Sequence, residues 1–490
     1  MDTHPFRNIW RVSGVLLCLA VLAGGCGDGN DTSPNDGNAK AVGNAPPSAE
    51  KQRELAIAAT AAAIDADVQA HGGSWEAWKQ QTAPFREDLK RITRGKWPWP
   101  AKKNFRFLGR AARLLMLESW QNRPPDHRPW ETIVHLNQQL RARGIDLVFV
   151  AIPDKIATYP DYISAKAPAD RAVSWQARKL LRKLCREGVE VIDLYPTFRT
   201  ERRKLGEDKP LFYDRDSHWR NRGAVLAAER IAARLKRYPF VREALADGSP
   251  YALREHTRTD GSKADEVLVV VEKQSGKPYR ADPRSRVVLT GDSFAMYNMH
   301  LNGHLPAHVA HGIGLPLTFV AQEGLAQRVP VELASRQKRG DFLDGRRVLV
   351  WVVRGRSLVE KNWQPADLPG KPSTARPERV RGKRATGKVV ATSAAPDKDS
   401  EYPDYVMKLQ VTDLVDADGW TIRDGSAVVR VLAMKDRRIR SAAGIEPGQT
   451  VTLELTTWSA MEPVWGTTRT GGLPDVESET DLPQYWGELP

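Results

Sequence analysis

Arg286-Val287-Val288-Leu289-Thr290-Gly291-Asp292-Ser293-Phe294 is the stretch on which the reading of this chain turns. Val287, Val288 and Leu289 form a short β-branched and apolar run of the kind that makes a buried parallel strand. The run stops at Gly291, and a serine sits two residues beyond it. A serine just past a strand end, where the chain turns toward a helix, has two readings. Either its Oγ is lifted clear of the sheet as a nucleophile, with the following backbone N–H groups facing a developing oxyanion, or it caps the next helix.

A second stretch favours the nucleophile. Tyr213-Asp214-Arg215-Asp216-Ser217-His218-Trp219 precedes a helical pattern from Ala224 to Leu235. A serine nucleophile needs a base, and the base needs an orienting carboxylate. Asp216 and His218 lie two apart and can act from one loop. Together the two stretches predict Ser293 as nucleophile, His218 as general base and acid, and Asp216 as the group that orients the imidazole.

These residues carry a resemblance. Gly291-Asp292-Ser293-Phe294 is similar to the serine block of SGNH/GDSL hydrolases, although in most of those enzymes the Asp and His follow the serine. Here they precede it, spaced Asp-x-His-Trp, which resembles the AlgX/AlgJ-like alginate O-acetyltransferase family. Gly144 to Lys155, a strand ending in Pro153-Asp154-Lys155, and Gly188 to Leu194 resemble further segments of that family. The resemblance covers about residues 105 to 360. It implies an acetyl group carried on Ser293, a sugar hydroxyl of alginate or another exopolysaccharide as acceptor, and membrane partners that pass acetyl groups outward.

Around the two stretches, helix and strand patterns alternate. Ile133–Ala142 reads as helix and Asp146–Ile152 as strand; Ala172–Arg186 as helix and Val189–Leu194 as strand. Leu317–Ala321 and Val348–Val353 are further apolar runs, with a helical candidate at Val329–Gln337. Such alternation predicts an α/β domain, a parallel sheet flanked by helices, over 101–366. In such sheets ligands gather at the carboxyl ends of the strands. Lys155, Arg354 and Arg356 follow strand ends and are candidate substrate contacts, as is Trp219 beside the histidine. The arginines either grip a uronate carboxylate or are surface charge, and Asp154-Lys155 either orients substrate or forms a solvated turn. Val267–Val271 reads as a strand of an edge hairpin whose role the sequence does not disclose.

Toward the N-terminus, residues 1–25 read as an export signal, with Leu22-Ala23-Gly24-Gly25-Cys26 resembling a lipoprotein cleavage site and Cys26 carrying the lipid. Residues 26–47 are a Gly-, Asn- and Ser-rich tether. Residues 48–100 read as a helical extension whose Trp75, Trp78, Phe85, Leu89 and Ile92 either pack on the main domain or form a sugar-binding stripe, closed by Trp97-Pro98-Trp99-Pro100. This places the protein in a bacterial periplasm, lipid-anchored or secreted. Of the three cysteines, Cys18 and Cys26 lie in this leader, leaving Cys185 as a buried structural thiol. No disulfide framework or cysteine-based zinc site is possible.

Toward the C-terminus, 367–388 is a basic, proline-containing linker. Beyond it the periodicity switches to two: Met407, Leu409 and Val411, then Val451, Leu453 and Leu455, alternate with polar residues. This predicts a small all-β domain over 389–472, an OB-like barrel or a compact sandwich. Trp458, Trp465 and Trp486 either pack or stack sugars, and 473–490 reads as a loose tail.

The formal net charge of the 490 residues is +14, with 27% charged. A basic exported protein points to an acidic polysaccharide or another anionic surface. Export and the lack of an aromatic-basic recognition motif argue against nucleic acid. No metal site or nucleotide-binding glycine loop is evident, so no cofactor is expected. Three functions fit: an O-acetyltransferase fed by an acetyl donor, an esterase using the same triad with water, and a non-catalytic polysaccharide-binding protein of an export complex.

Overall fold

The computed structural model describes residues 47–490 except 94–104, 108–111, 121–122, 168–171, 208, 261–262, 323, 362, 364, 371–379, 397–403, 417–418, 420–425, 467 and 474–481. The export signal, Cys26 and the Trp97–Pro100 segment lie outside the described residues.

Seven strands build the first part of the chain: β1 (Asp146–Ile152), β2 (Glu190–Asp193), β3 (Tyr251–Asp260), β4 (Lys263–Glu272), β5 (Val287–Gly291), β6 (Thr318–Ala321) and β7 (Val348–Arg354). Five of them form one parallel sheet in the order β2-β1-β7-β5-β6. Their near-continuous apolar runs reflect burial on both faces. Val148, Val150, Leu289 and Val350 enter one core, which includes Leu226 and Ile231 of the helix Asn221–Leu235 and Val309 of the helix Leu305–Ile313. The alternate residues Leu147, Phe149, Val288 and Trp351 enter the other, with Leu136 of Pro129–Arg141, Leu184 of Trp175–Arg186 and Leu333 of Val329–Arg339. Cys185 is buried here, its thiol pushed up to about 11 by that burial.

The N-terminal helix Ala49–Ala70 starts at Ser48, whose side chain accepts the Lys51 N–H. It ends before Gly72 and Gly73, both at positive φ, where the chain turns to Ser74 and the helix Trp75–Gln81. Trp78, Phe85 and Leu89 are fully buried, so the aromatic spacing marks packing. Arg178 pairs with Asp67 of the first helix and Asp193 at the end of β2, tying the extension to the sheet.

Among the described strands, β3 and β4 form a two-stranded sheet of their own. The hairpin is therefore not an edge of the parallel sheet. It packs across the helices Asn221–Leu235 and Leu305–Ile313, where Asn221 accepts the Leu268 N–H at 2.9 Å and donates to the Gly303 carbonyl at 2.8 Å.

The C-terminal strands are β8 (Lys383–Thr392), β9 (Tyr405–Asp416), β10 (Ser426–Lys435), β11 (Arg438–Ile439), β12 (Thr450–Thr457), β13 (Arg469–Thr470) and β14 (Gln484–Glu488). β8, β9, β10, β14 and β12 pair in a closed ring, with β10 and β14 parallel. This is a five-stranded barrel of OB-like connectivity; the sandwich alternative is excluded by the closure. Two expected boundaries move. β8 begins inside the basic linker, because Ala385, Gly387 and Val389 turn inward while the intervening charged and polar residues face out. Residues 484–488 are not a loose tail: Tyr485 and Trp486 are buried, and the strand fills the gap between β10 and β12. Trp486 stacks between Trp458 and Trp465, with ring centroids 6.2 and 5.3 Å away, so these tryptophans serve packing.

Candidate active site

β5 ends at Gly291, where a Cβ would come within 3.2 Å of both Ala295 Cβ and the Val352 carbonyl oxygen, a close approach that glycine permits. Asp292 caps the short helix Ser293–Met296, its Oδ1 accepting the Phe294 N–H at 3.0 Å. The Ala295 and Met296 N–H groups bond the Asp292 carbonyl. These three N–H groups are therefore spoken for, and the expectation that the amides after the serine face an oxyanion fails for them.

Ser293 Oγ lies 2.9 Å from His218 Nε2, and His218 Nδ1 lies 2.8 Å from Asp216 Oδ1. The second of these contacts places the imidazole proton on Nδ1 and leaves Nε2 free to accept from the serine. Asp216 Oδ1 also accepts the His218 N–H at 3.1 Å. Burial alone would raise the Asp216 carboxyl. The His218 side chain and the backbone N–H groups of His218 and Ser217 outweigh it and hold the group at about 2. Serine and histidine are both buried, at a carboxyl end of the sheet. The arrangement can move a proton from Ser293 to His218 while Asp216 stabilises the imidazolium.

The loop that carries Asp216 and His218 is closed by backbone bonds, Tyr213 N–H to the His218 carbonyl at 3.1 Å and Arg220 N–H to the Leu211 carbonyl at 2.8 Å. Lys155 locks it from below. Its ammonium donates to the carbonyls of Asp214 and Arg106 at 2.9 Å, of Asp216 at 3.0 Å, and of Tyr213. The Phe105 ring lies 4.5 Å from the same nitrogen. Burial pushes this lysine down to about 7, against the pull of Asp216 and Asp214.

Four expected substrate contacts are corrected by these positions. Lys155, 5% exposed, spends its donors on the loop rather than on a ligand, and Asp154-Lys155 is no solvated turn. Trp219, 1% exposed, packs edge-on to Phe294 with ring centroids 5.5 Å apart, as part of the core. Arg354 pairs through Nε with Asp292 Oδ2 at 3.1 Å and with Ser357 Oγ at 2.9 Å. Arg356, 3% exposed, is not surface charge either; it neighbours Asp154, whose carboxyl burial raises to about 6 against the attraction of Arg356 and Arg354. Both guanidiniums lie over the Phe294 ring, at 5.8 and 6.0 Å.

The site also holds residues that the sequence reading passed over. The Tyr297 ring stacks 4.6 Å from the His218 imidazole, and its hydroxyl donates to Asp216 Oδ2 at 3.3 Å. Burial, then Asp216, pushes this phenol above its ordinary range. Tyr213 packs on Tyr297 at 5.3 Å. The available signal was a tyrosine one helical turn past the serine, which single-sequence periodicity does not distinguish from core. A cavity of about 610 Å³ lies at the opposite end of the sheet among Arg143, Arg286, Arg346 and Arg347 and holds none of the triad. Among the described residues no cluster of metal-binding side chains occurs.

Comparison with known proteins gives partial matches. The family model described as "SGNH hydrolase-like domain, acetyltransferase AlgX" matches residues 113–259, a span that includes Asp216 and His218 but ends before Ser293. The probable alginate O-acetylase AlgJ of Pseudomonas fluorescens is 23% identical over 257 residues, 46% of this chain and 60% of that protein. The protein of the same description from Pseudomonas aeruginosa is 28% identical over 107 residues, 22% of this chain and 26% of that one. The matches thus span a quarter to three-fifths of these relatives. Among solved structures, the O-acetyltransferase domain of Pseudomonas putida AlgJ is similar at a TM-score of 0.36 and 20% identity, covering 55% of this chain and 92% of that one. Pseudomonas aeruginosa AlgX is similar at a TM-score of 0.35 and 14% identity, covering 74% and 91%. Over residues 113–259, then, the chain is similar to the SGNH hydrolase-like domain of the AlgX acetyltransferase family.

Proposed function

We propose that the chain is an O-acetyltransferase that acetylates hydroxyls of an acidic, alginate-like polysaccharide through an acetyl-Ser293 intermediate. The observation that carries this is the hydrogen-bonded series Asp216–His218–Ser293 at the strand-end rim. The AlgJ relatives, described as probable alginate O-acetylases, support the acetyl group and the acceptor.

In the first half-reaction Ser293 Oγ attacks the acetyl carbonyl while His218 Nε2 takes the hydroxyl proton. The donor's leaving group departs with that proton. In the second, a sugar hydroxyl attacks the acetyl ester as His218 takes its proton, and Ser293 Oγ leaves and recovers that proton. Water in place of the sugar gives an esterase. The test is acetyl release from a chromogenic acetyl ester, with and without unacetylated polyuronate. Serine-dependent turnover with acetyl found on the polymer supports the transferase; serine-dependent release to water alone makes it an esterase; release that Ser293→Ala leaves unchanged removes the triad reading.

The same proposal places the chain outside the cytoplasm, anchored by lipid at Cys26 and fed by a membrane-bound acetyl donor. Cell fractionation tests the anchor: Cys26→Ser moves the protein from the membrane to the soluble periplasmic fraction, and an unchanged distribution overturns it.

A further inference from the structure

Three neighbouring strands of the parallel sheet, in the order β1-β7-β5, are each preceded by an arginine at the amino end. Arg143 lies three residues before β1, Arg347 directly before β7 and Arg286 directly before β5. The Arg347 N–H donates to the Arg286 carbonyl at 2.8 Å, so these two residues sit side by side. Arg347 Nη1 reaches toward β1, lying 3.9 Å from where a Cβ on Gly144 would stand. All three arginines are exposed and line one cavity of about 610 Å³, a size at which pockets hold ligands. Arg346 lines it too, but is buried. Its donors are spent on the carbonyls of Phe342 at 2.8 Å, of Pro283 at 2.6 Å and of Ser285, and on Thr318 Oγ1 at 3.0 Å. Those acceptors are neutral, so its charge adds to the row. Asp344 is the one acid among the described lining residues, and it has a partner of its own.

Like charges set side by side repel, at a cost to the fold, and an anionic ligand relieves that cost. Arg143 gives charge rather than donors, since its guanidinium already bonds the Gln139 carbonyl at 3.0 Å and the Pro369 carbonyl at 3.2 Å. Arg286 is steadied by the Phe240 ring, 5.5 Å away. Among the described residues no hydrogen bond or ion pair engages its guanidinium or that of Arg347. We propose that this cavity is a second site, at the opposite end of the sheet from the triad, where Arg286 and Arg347 bind the carboxylates of an acidic sugar chain. A guanidinium fork matches a carboxylate bidentately. An anionic lipid surface fits less well, because a membrane-seated patch buries apolar side chains and none of the exposed large hydrophobic residues lines this cavity. The choice of anion rests on the polysaccharide reading above; the site itself rests on the arginines. A polymer held at one point stays at high effective concentration for a second, so the cavity retains the chain between transfers at Ser293.

The experiment measures binding by calorimetry in the full chain carrying Ser293→Ala, so that no chemistry intervenes. The probes are an unacetylated polyuronate, its carboxyl-reduced neutral form, and vesicles of anionic phospholipid. Adding Arg286→Gln and Arg347→Gln together is expected to weaken polyuronate binding about tenfold, the combined effect of two exposed charge contacts of modest strength, while the neutral form binds both proteins alike. Arg286→Lys with Arg347→Lys is expected to keep part of the affinity, since charge remains and the fork is lost. Equal polyuronate binding with and without the Gln pair overturns the proposal, as does polyuronate binding to neither protein. Vesicle binding that depends on the pair, with no such dependence for the polyuronate, overturns it in favour of a lipid surface. A second measurement needs no variant of the arginines: dicarbonyl modification of Arg286 and Arg347, read by peptide mass spectrometry, is expected to be lost under saturating polyuronate, and modification at the unprotected rate overturns the site. None of these readouts needs acetyl transfer, so failure of the triad leaves them unaffected and failure here leaves the triad standing.

Discussion

The ammonium of Lys155 and the carboxylate of Asp216 show how much of the site's precision comes from groups that never meet a substrate. Lys155 holds four carbonyls around the Asp216–His218 loop. Lys155→Met removes the one ammonium that ties these carbonyls together, the Asp214 carbonyl keeping the Arg106 N–H, and lets the loop drift. Because a shift of about 1 Å can cost about 10²-fold, kcat on an acetyl ester is expected to fall by that order with KM little changed. A variant with wild-type kcat would remove Lys155 from the positioning of the triad. Asp216 is held at about 2 in the folded chain, against roughly 3.9 for an unfolded aspartate. Its contribution to stability is present above pH of about 4 and is lost as pH falls through about 2. Denaturant midpoints across that window should fall less steeply for Asp216→Asn than for wild type, while its turnover drops by about 10⁴-fold; equal slopes would contradict this origin of the shift. At this scale the meeting of Ser293, His218 and Asp216 in one hydrogen-bonded series was legible, because their residue types and loop positions already narrow where they can lie. Arg354 and Arg356 were misread for a reason the sequence hides. β7 lies between β1 and β5, so its terminal arginines fall between Asp154, which follows β1, and Asp292, which follows β5. Strand order decides that pairing, and no single strand reveals its neighbours.

Among the elements, the buried parallel strands were readable to within a residue or two because burial on both faces leaves an unbroken apolar run. β8 and β14 were not. In β8 the charged outer residues read as a basic linker, while the inward positions are the small Ala385 and Gly387. In β14 five residues between prolines and a polar stretch carry too little pattern to stand out from a tail, yet Tyr485, Trp486 and Gly487 pair with β12. Gly487 is needed there: a Cβ would approach Val429 Cγ1 to 2.6 Å. Ending the chain at residue 473 opens the ring and leaves facing edges on β10 and β12 unpaired. The expected outcome is a barrel that no longer unfolds cooperatively and a chain that aggregates on warming, read by calorimetry and light scattering. A truncated chain with an intact barrel transition would show that β14 is dispensable.

In the whole molecule, the parallel-sheet part and the barrel meet at a charged seam. Arg336, on the helix Val329–Arg339, bonds Glu332 at 2.7 Å and, through Nη1, Glu462 at 2.8 Å on the barrel helix Trp458–Trp465. Val320 to Gln322, at the end of β6, line the same seam with Trp458 and Trp465. Removing one partner of a mostly buried pair leaves the other uncompensated. Glu462→Ala is therefore expected to cost about 1–3 kcal/mol, discounted for partial exposure. It should also split thermal unfolding into two steps, with the barrel melting first. A single unshifted transition would mean the seam contributes nothing to coupling.

The claim on which all of this depends is that Ser293 carries the acetyl group. The most direct measurement is mass spectrometry of the Ser293 peptide after brief exposure to an activated acetyl ester and acid quench, with and without a polyuronate chase. The account predicts an acetyl adduct on Ser293 that is absent in Ser293→Ala and stabilised in His218→Gln, where the second half-reaction lacks its base. The chase should discharge it as acetyl appears on the polymer. Acetyl transfer to the polymer with no adduct at Ser293, undiminished in Ser293→Ala, would contradict it.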